Sequence, residues 1–145
     1  MSEIAINKAQ RTDVVIDTQI VLDLLLFADA STWALRLALD AGMARWLATS
    51  DMRSELARVL GYASMQQVLH RRTLHAHEVL DRFDQGTCLV AAAAPAEARC
   101  RDADDQCFID LAVAYRARLL SRDRAVLALQ KKLGLVGVAV AQAWT

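Results

Sequence analysis

The chain has 145 residues, 55% of them apolar and 23% charged, and its 17 Lys+Arg balance 17 Asp+Glu. A domain of this size buries roughly 68–70% of its unfolded surface without staples, and the composition excludes a disordered chain. No apolar run approaches the ~20 residues that span a bilayer, and charge neutrality argues against extensive phosphate contacts with duplex nucleic acid.

Residues 1–12 read as a loose lead-in and residues 13–145 as a single domain. Asp13–Asp17 (DVVID) is apolar, β-branched and too short for a helix, so it reads as a buried strand. Thr18 or Gln19 opens a helix through Ile20–Phe27. Ser31 or Thr32 is an N-cap candidate for the next helix, WALRLALDAG, with Gly42 as its stop. Arg45–Thr49 is a second strand, and Ser50 or Asp51 caps a helix over Met52–Leu60. One helical stretch runs from about Met65 to Gly86. Cys88–Ala93 is a third strand, with Pro95 in the loop beyond it. Asp102 caps a helix over Asp104–Ala117, and Arg118–Ser121 is a fourth strand. Ala125–Leu133 is a helix ended by Gly134, and Val136–Val140 is the last strand. Strands alternating with helices imply a parallel sheet of four to five strands covered on both faces, a three-layer α/β/α sandwich.

Four acids stand at corresponding strand-to-helix positions: Asp17 after the first strand, Glu55 after the second, Asp105 after the third and Asp123 after the fourth. In a parallel sheet all four point to the edge formed by the carboxyl ends of the strands, where ligands bind. Two carboxylates ~5 Å apart at an effective dielectric of ~20 repel by roughly 3 kcal/mol. Their convergence therefore calls for a hard divalent cation, Mg²⁺ or Mn²⁺, or for raised pKa values. Taken singly, each acid is more simply a helix cap or a solvated side chain; the joint pattern carries the inference. Periodicity leaves Asp104 and Asp105 undecided, since Phe108, Leu111, Ala112 and Tyr115 follow either at helical spacing.

Other residues read as structural. Asp23, Asp81, Asp84 and Asp110 are solvated faces, as are Arg71, Arg72, Lys131 and Lys132. His70, His75 and His77 lack the i,i+4 spacing of a zinc pair. Trp33, Trp46 and Trp144 suit core or dimer contacts. Cys88, Cys100 and Cys107 form no CxxC pair; they read as reduced thiols of a cytoplasmic protein, buried as small apolar groups. Arg122 and Arg124 flank Asp123 and are candidates for substrate contact.

With these residues in hand the chain resembles the PIN-domain nucleases, and more narrowly the bacterial toxin components of toxin–antitoxin pairs. The first strand of that family ends in Asp-Thr-Asn; here VVIDTQ ends in Asp17-Thr18-Gln19. The helix Glu after the second strand is Glu55, in SELARVL. The Asp-rich helix start is matched by DADDQCFIDLA, which selects Asp105, and the final strand, Thr/Ser, x, Asp pattern is LLSRD, giving Ser121 and Asp123. The resemblance spans about Asp13 to Val140. It implies a metal-dependent endoribonuclease acting on single-stranded RNA, with Asp17, Glu55, Asp105 and Asp123 catalytic. Asp17, Asp105 and Asp123 would hold Mg²⁺ or Mn²⁺, and Gln19, Ser121, Arg122 and Arg124 would support the site or touch substrate. It also implies a homodimer and a protein antitoxin as partner. The alternative is a non-catalytic PIN-like module that binds RNA or protein through a decayed site, with Gln19 in place of Asn as its mark. A phosphohydrolase with Asp-x-Asp after its first strand does not fit, because Asp17-Thr18-Gln19 lacks the second acid.

Overall fold

The computed structural model describes residues 11–145. Residues 1–10 of the expected lead-in lie outside the described residues, and Thr12 already belongs to the first strand. Five strands, β1 (Thr12–Ile16), β2 (Ala44–Ala48), β3 (Thr87–Leu89), β4 (Arg118–Leu120) and β5 (Val140–Ala141), form one parallel sheet in the order β3-β2-β1-β4-β5. β1 is central. Its Val14, Val15 and Ile16 are all buried, and successive strand side chains point to opposite faces, so both faces of the sheet are covered. The cover consists of helices, giving the expected α/β/α architecture. No helix among the described residues is long and apolar enough to cross a membrane.

The helices are α1 (Thr18–Leu22), α2 (Trp33–Asp40), α3 (Ser50–Leu60), α4 (Ala63–Arg71), α5 (Ala76–Gly86), α6 (Gln106–Tyr115), α7 (Arg124–Leu127) and α8 (Gln130–Gly134). α1 continues as a π-helical turn over Asp23–Phe27, which buries Leu24, Leu25 and Leu26 in succession. A wide turn of this kind leaves carbonyls without their usual intrahelical partners. Three arginines supply them. Arg36 donates to the carbonyl of Leu24 (3.3 Å), Arg82 to that of Leu25 (2.7 Å) and Arg72 to that of Leu26 (3.5 Å).

Several boundaries differ from the sequence-based expectation, each for a local reason. β1 ends at Ile16 and Asp17 caps α1, which Thr18 opens as expected, while Thr49 rather than Ser50 or Asp51 caps α3. Thr32, one of the two expected candidates, holds the N-cap position of α2, and Asp29 caps a 3-10 turn (Ala30–Thr32) before it. The expected helix from Met65 to Gly86 is two helices. α4 ends where Thr73 takes a left-handed φ of 55° and the Leu74 amide donates back to the Leu69 carbonyl (2.9 Å), a closure usually marked by glycine. Arg116 ends α6 in the same way, at φ 49°, short of Ala117. The helix expected over Ala125–Leu133 is likewise split into α7 and α8. β3 stops at Leu89 because it is an edge strand running into an alanine cluster of low strand propensity. β5 starts only at Val140: the Val138 amide still closes the end of α8 on Leu133 (3.0 Å), and Gly137 sits at φ 86°.

The core follows the apolar pattern. Trp46 of β2 is 2% exposed and meets Phe83 of α5 edge-on, with ring centroids 5.3 Å apart. Asp13 and Arg45 are register partners on β1 and β2 and pair through two hydrogen bonds (2.7 and 3.0 Å). Trp33 is exposed, contrary to a core role, and Trp144 is half-buried under the Arg118 guanidinium (4.1 Å). The cysteines are not buried small groups: Cys88 and Cys107 are exposed and Cys100 is half-buried. Trp46→Ala removes the largest buried side chain and should destabilise the domain by about 3–5 kcal/mol, measured as a lower midpoint in urea.

Candidate active site

The strand order reverses at β1. β2 and β3 extend the sheet to one side and β4 and β5 to the other, so a crevice opens beyond the carboxyl ends of β1 and β4. A cleft of about 330 Å³ lies there, lined by Asp17, Thr18, Gln19, Glu55, Asp105, Phe108, Arg122 and Asp123. The four acids singled out from sequence share this one cleft. Ser121 is fully buried behind it, and its Oγ accepts from the Asp123 amide (3.1 Å). Arg124 is exposed and does not line the cleft.

Each acid is placed by its element. Asp17 is the N-cap of α1, its Oδ1 accepting from the Ile20 amide (3.0 Å). Asp123 is the N-cap of α7, its Oδ1 accepting from the Ala125 amide (2.8 Å). The simpler reading of these residues as caps is therefore correct as far as it goes. Each cap engages one carboxylate oxygen and leaves the other outside the cap. Glu55, on α3, accepts from the Thr18 hydroxyl (2.7 Å), and its other oxygen lies 3.6 Å from Arg58. Asp105 ends a 3-10 turn (Ala103–Asp105) whose N-cap is Asp102. Side chains at i and i+3 of a 3-10 helix eclipse one another, which sets Asp102 beside Asp105. Asp104 is exposed and lies outside the cleft lining, so the geometry separates what periodicity left open.

The tightest group of acids is not quite the one expected. Oxygens of Asp102, Asp105 and Asp123 lie within 4.8 Å of one another. Asp17 and Glu55 line the same cleft but are not in that triad. Asp102 was legible in sequence only as a cap, which it also is: its Oδ1 accepts from the Asp104 amide (3.0 Å). Its placement depends on the 13-residue link between β3 and the 3-10 turn, which two residues of α6 hold in place. Gln106 accepts from the Cys100 amide (2.6 Å) and donates to the Ala98 carbonyl (3.0 Å). Asp110 accepts from the Ala96 amide (2.8 Å) and from Gln106 (2.8 Å). Asp110 is therefore a link anchor rather than a solvated side chain. Asp23 is also not a free surface acid, since it pairs with Arg122.

The electrostatics follow from burial and like charge. Burial pushes the Asp105 carboxyl up to about 7, with repulsion from Asp123, Asp102 and Asp17 adding to it. Burial also raises Asp17, partly offset by the Ser121 hydroxyl, the Ile20 and Arg122 amides and the Arg122 charge. Asp105 Oδ2 is buried with no hydrogen-bond partner among the described residues. Buried polar atoms are nearly always partnered. An orphaned carboxylate oxygen beside two further carboxylates fits a hard cation with oxygen ligands.

A family model for the PIN domain matches residues 13–125, more than three quarters of the chain. The chain belongs to the PIN-domain family. PIN domains are generally metal-dependent nucleases, and an acidic cluster suited to a divalent ion is present in this one. No curated protein matches the chain.

In metal-free protein the raised acids tie stability to pH. Between the ordinary Asp pKa of 3.8 and the folded value of about 7, native Asp105 keeps a proton that the unfolded chain has released. The native state then binds more protons, so stability falls as pH rises through that window and levels off above it. Thermal unfolding in chelator from about pH 4.5 to about pH 8 should show a falling Tm in wild type. In Asp105→Asn the fall should be much shallower.

Proposed function

We propose that this PIN domain is an endoribonuclease that cuts single-stranded RNA with the help of Mg²⁺ or Mn²⁺, and that it is the toxin of a toxin–antitoxin pair. The observation that carries the reading is the convergence of Asp17, Glu55, Asp105 and Asp123 on one cleft around an unpartnered buried carboxylate oxygen. Asp105 and Asp123, with Asp102 and Asp17, are the residues that would hold the ion. A bound divalent ion lowers the pKa of water and neutralises charge that builds on a phosphodiester during in-line displacement.

The protein residues divide the remaining work. The Asp17 and Asp123 caps fix two carboxylates on rigid helix starts, so little reorganisation is needed when substrate arrives. Glu55, held by Thr18, is placed to orient an attacking water and accept its proton. Phe108 forms an apolar wall beside the carboxylates, and Arg122 sets one positive charge against a substrate phosphate. Gln19 is exposed at the cleft with its amide available for hydrogen bonding, so the exchange of Asn for Gln keeps a donor and an acceptor there. Single strands suit the site better than duplex, because the chain has no net positive charge with which to track a double phosphate backbone. The toxin role, a protein antitoxin, a homodimer and a cytoplasmic location rest on the family resemblance, and exposed Trp33, Leu37 and Met43 offer apolar surface for an interface.

Purified protein should cut a single-stranded RNA with Mg²⁺ or Mn²⁺ and stop on addition of chelator. Asp17→Asn and Asp105→Asn should each lower the rate at least about a hundredfold with the fold retained. Unchanged cutting by either variant would sink the site. An inactive wild type that still binds RNA or a partner would favour the binding module.

Asp102 gives a separate expectation. Mn²⁺ should raise the Tm of wild type, and Asp102→Asn should lose a large part of that rise, since stabilisation by a ligand follows its affinity for the native state. A full Mn²⁺ response in Asp102→Asn would remove it from the ion site.

A further inference from the structure

Arg122 does not stand free at the cleft. Its Nη2 donates to Oδ2 of Asp23, ninety-nine residues away in sequence. Asp23, the C-cap of α1, is one helical turn beyond Gln19, and its amide donates to the Gln19 carbonyl, so both side chains fall on the same side of the chain there. The Asp23 side chain is only 14% exposed, while that of Arg122 is 36% exposed, and Arg122 lines the cleft. No other acceptor engages Arg122 among the described residues. A guanidinium carries five N–H donors in a fixed plane, so one tethered nitrogen leaves the rest of the fork for a phosphate.

The base of the tether is rigid. Asp23 opens the π-helical turn, whose next three residues are buried leucines and whose carbonyls are held by Arg36, Arg82 and Arg72. A long cationic side chain loses considerable rotamer freedom on binding a phosphate, and a fixed partner takes that loss before substrate arrives. The Arg122 charge also lies beside Asp17, so the tether keeps a cation among carboxylates that would otherwise repel an incoming phosphate.

We propose that Asp23 is a positioning residue that holds Arg122 in the cleft ready to receive a phosphate of single-stranded nucleic acid. The proposal rests on the nuclease reading for its substrate class. The opposing arrangement, in which Asp23 occupies Arg122 and masks it, predicts effects of the opposite sign.

The test is a double-mutant cycle on affinity, with the chemistry measured separately. Fluorescence anisotropy of a labelled single-stranded RNA oligonucleotide in chelator gives Kd for wild type, Asp23→Ala, Arg122→Ala and the double variant. Each single change should weaken binding about five- to tenfold, and the double variant should be no weaker than Arg122→Ala, because the two residues act as one unit. Asp23→Asn, which keeps the side-chain shape, should fall between wild type and Asp23→Ala, separating loss of the charge from collapse of the helix end. With Mn²⁺, Asp23→Ala should raise KM by a similar factor and change kcat by less than about twofold. Tighter or unchanged binding by Asp23→Ala overturns the proposal, as do multiplicative effects in the double variant or an Arg122→Ala variant that binds as well as wild type. If the cycle couples but no protein cuts RNA with either metal, the positioning role stands and the nuclease reading fails. If wild type cuts and the cycle shows no coupling, the nuclease reading stands and the positioning role fails. A wild type that neither binds nor cuts overturns both.

Discussion

The position of β1 is the constraint on which everything else depends. Its Val14, Val15 and Ile16 are buried and need apolar cover on both faces, and its backbone pairs with β2 on one side and β4 on the other. A strand so enclosed must sit in mid-sheet, and the chain must fill the sheet outward from it in both directions. That reversal opens the crevice. It also decides which residues face one another across it, because the first residue after β1 is Asp17 and the first after β4 is Ser121. The Asp17 amide donates to the Leu120 carbonyl (3.0 Å), so the sheet ladder itself reaches into the site.

Carboxylates gathered in this way oppose folding, and the fold offsets that opposition locally. Asp17, Asp102 and Asp123 each cap a helix or helical turn. An N-cap contributes typically ~1 kcal/mol, and a helix N-terminus favours negative charge. Asp105 has less compensation. It stands at the N-cap position of α6, but it makes no side-chain cap bond and keeps an orphaned oxygen. The one acid that the local structure does not satisfy is the one flanked most closely by other acids, as expected where stability gives way to function.

Much of this was legible in the sequence, and the parts that were not share a cause. The strands around the centre follow from short β-branched or leucine-rich runs, and the four cleft acids follow from strand ends, which are local signals. The end of α4 at Thr73 and of α6 at Arg116 was not legible, because both adopt a left-handed conformation that glycine normally marks. The π-helical turn has no sequence signature, since DLLLF reads as ordinary helix. Asp102 and Asp23 were visible as residues but not as neighbours of the cleft. Asp102 depends on the Gln106–Asp110 hold on a 13-residue link, and Asp23 on a pairing between distant segments. Long-range hydrogen bonds of that kind leave no periodicity to read. Even the family resemblance carried over only the residues within its motifs.

The three arginines on the π-helical turn have a consequence for how the molecule opens. Arg36 belongs to α2, Arg72 follows α4, and Arg82 belongs to α5, and all three converge on consecutive carbonyls of one short segment. That segment begins at Asp23 and continues directly from α1, which Asp17 caps and which carries Gln19. Unfastening it means breaking charge-assisted bonds to three separate helices and exposing three leucines at once. Local opening there should cost more than the opening of loops and chain ends, which comes at little cost. The hydrogen-bonded amides of α1 should accordingly exchange later than those of exposed loops, so that the residues α1 presents to the cleft rest on a firm base.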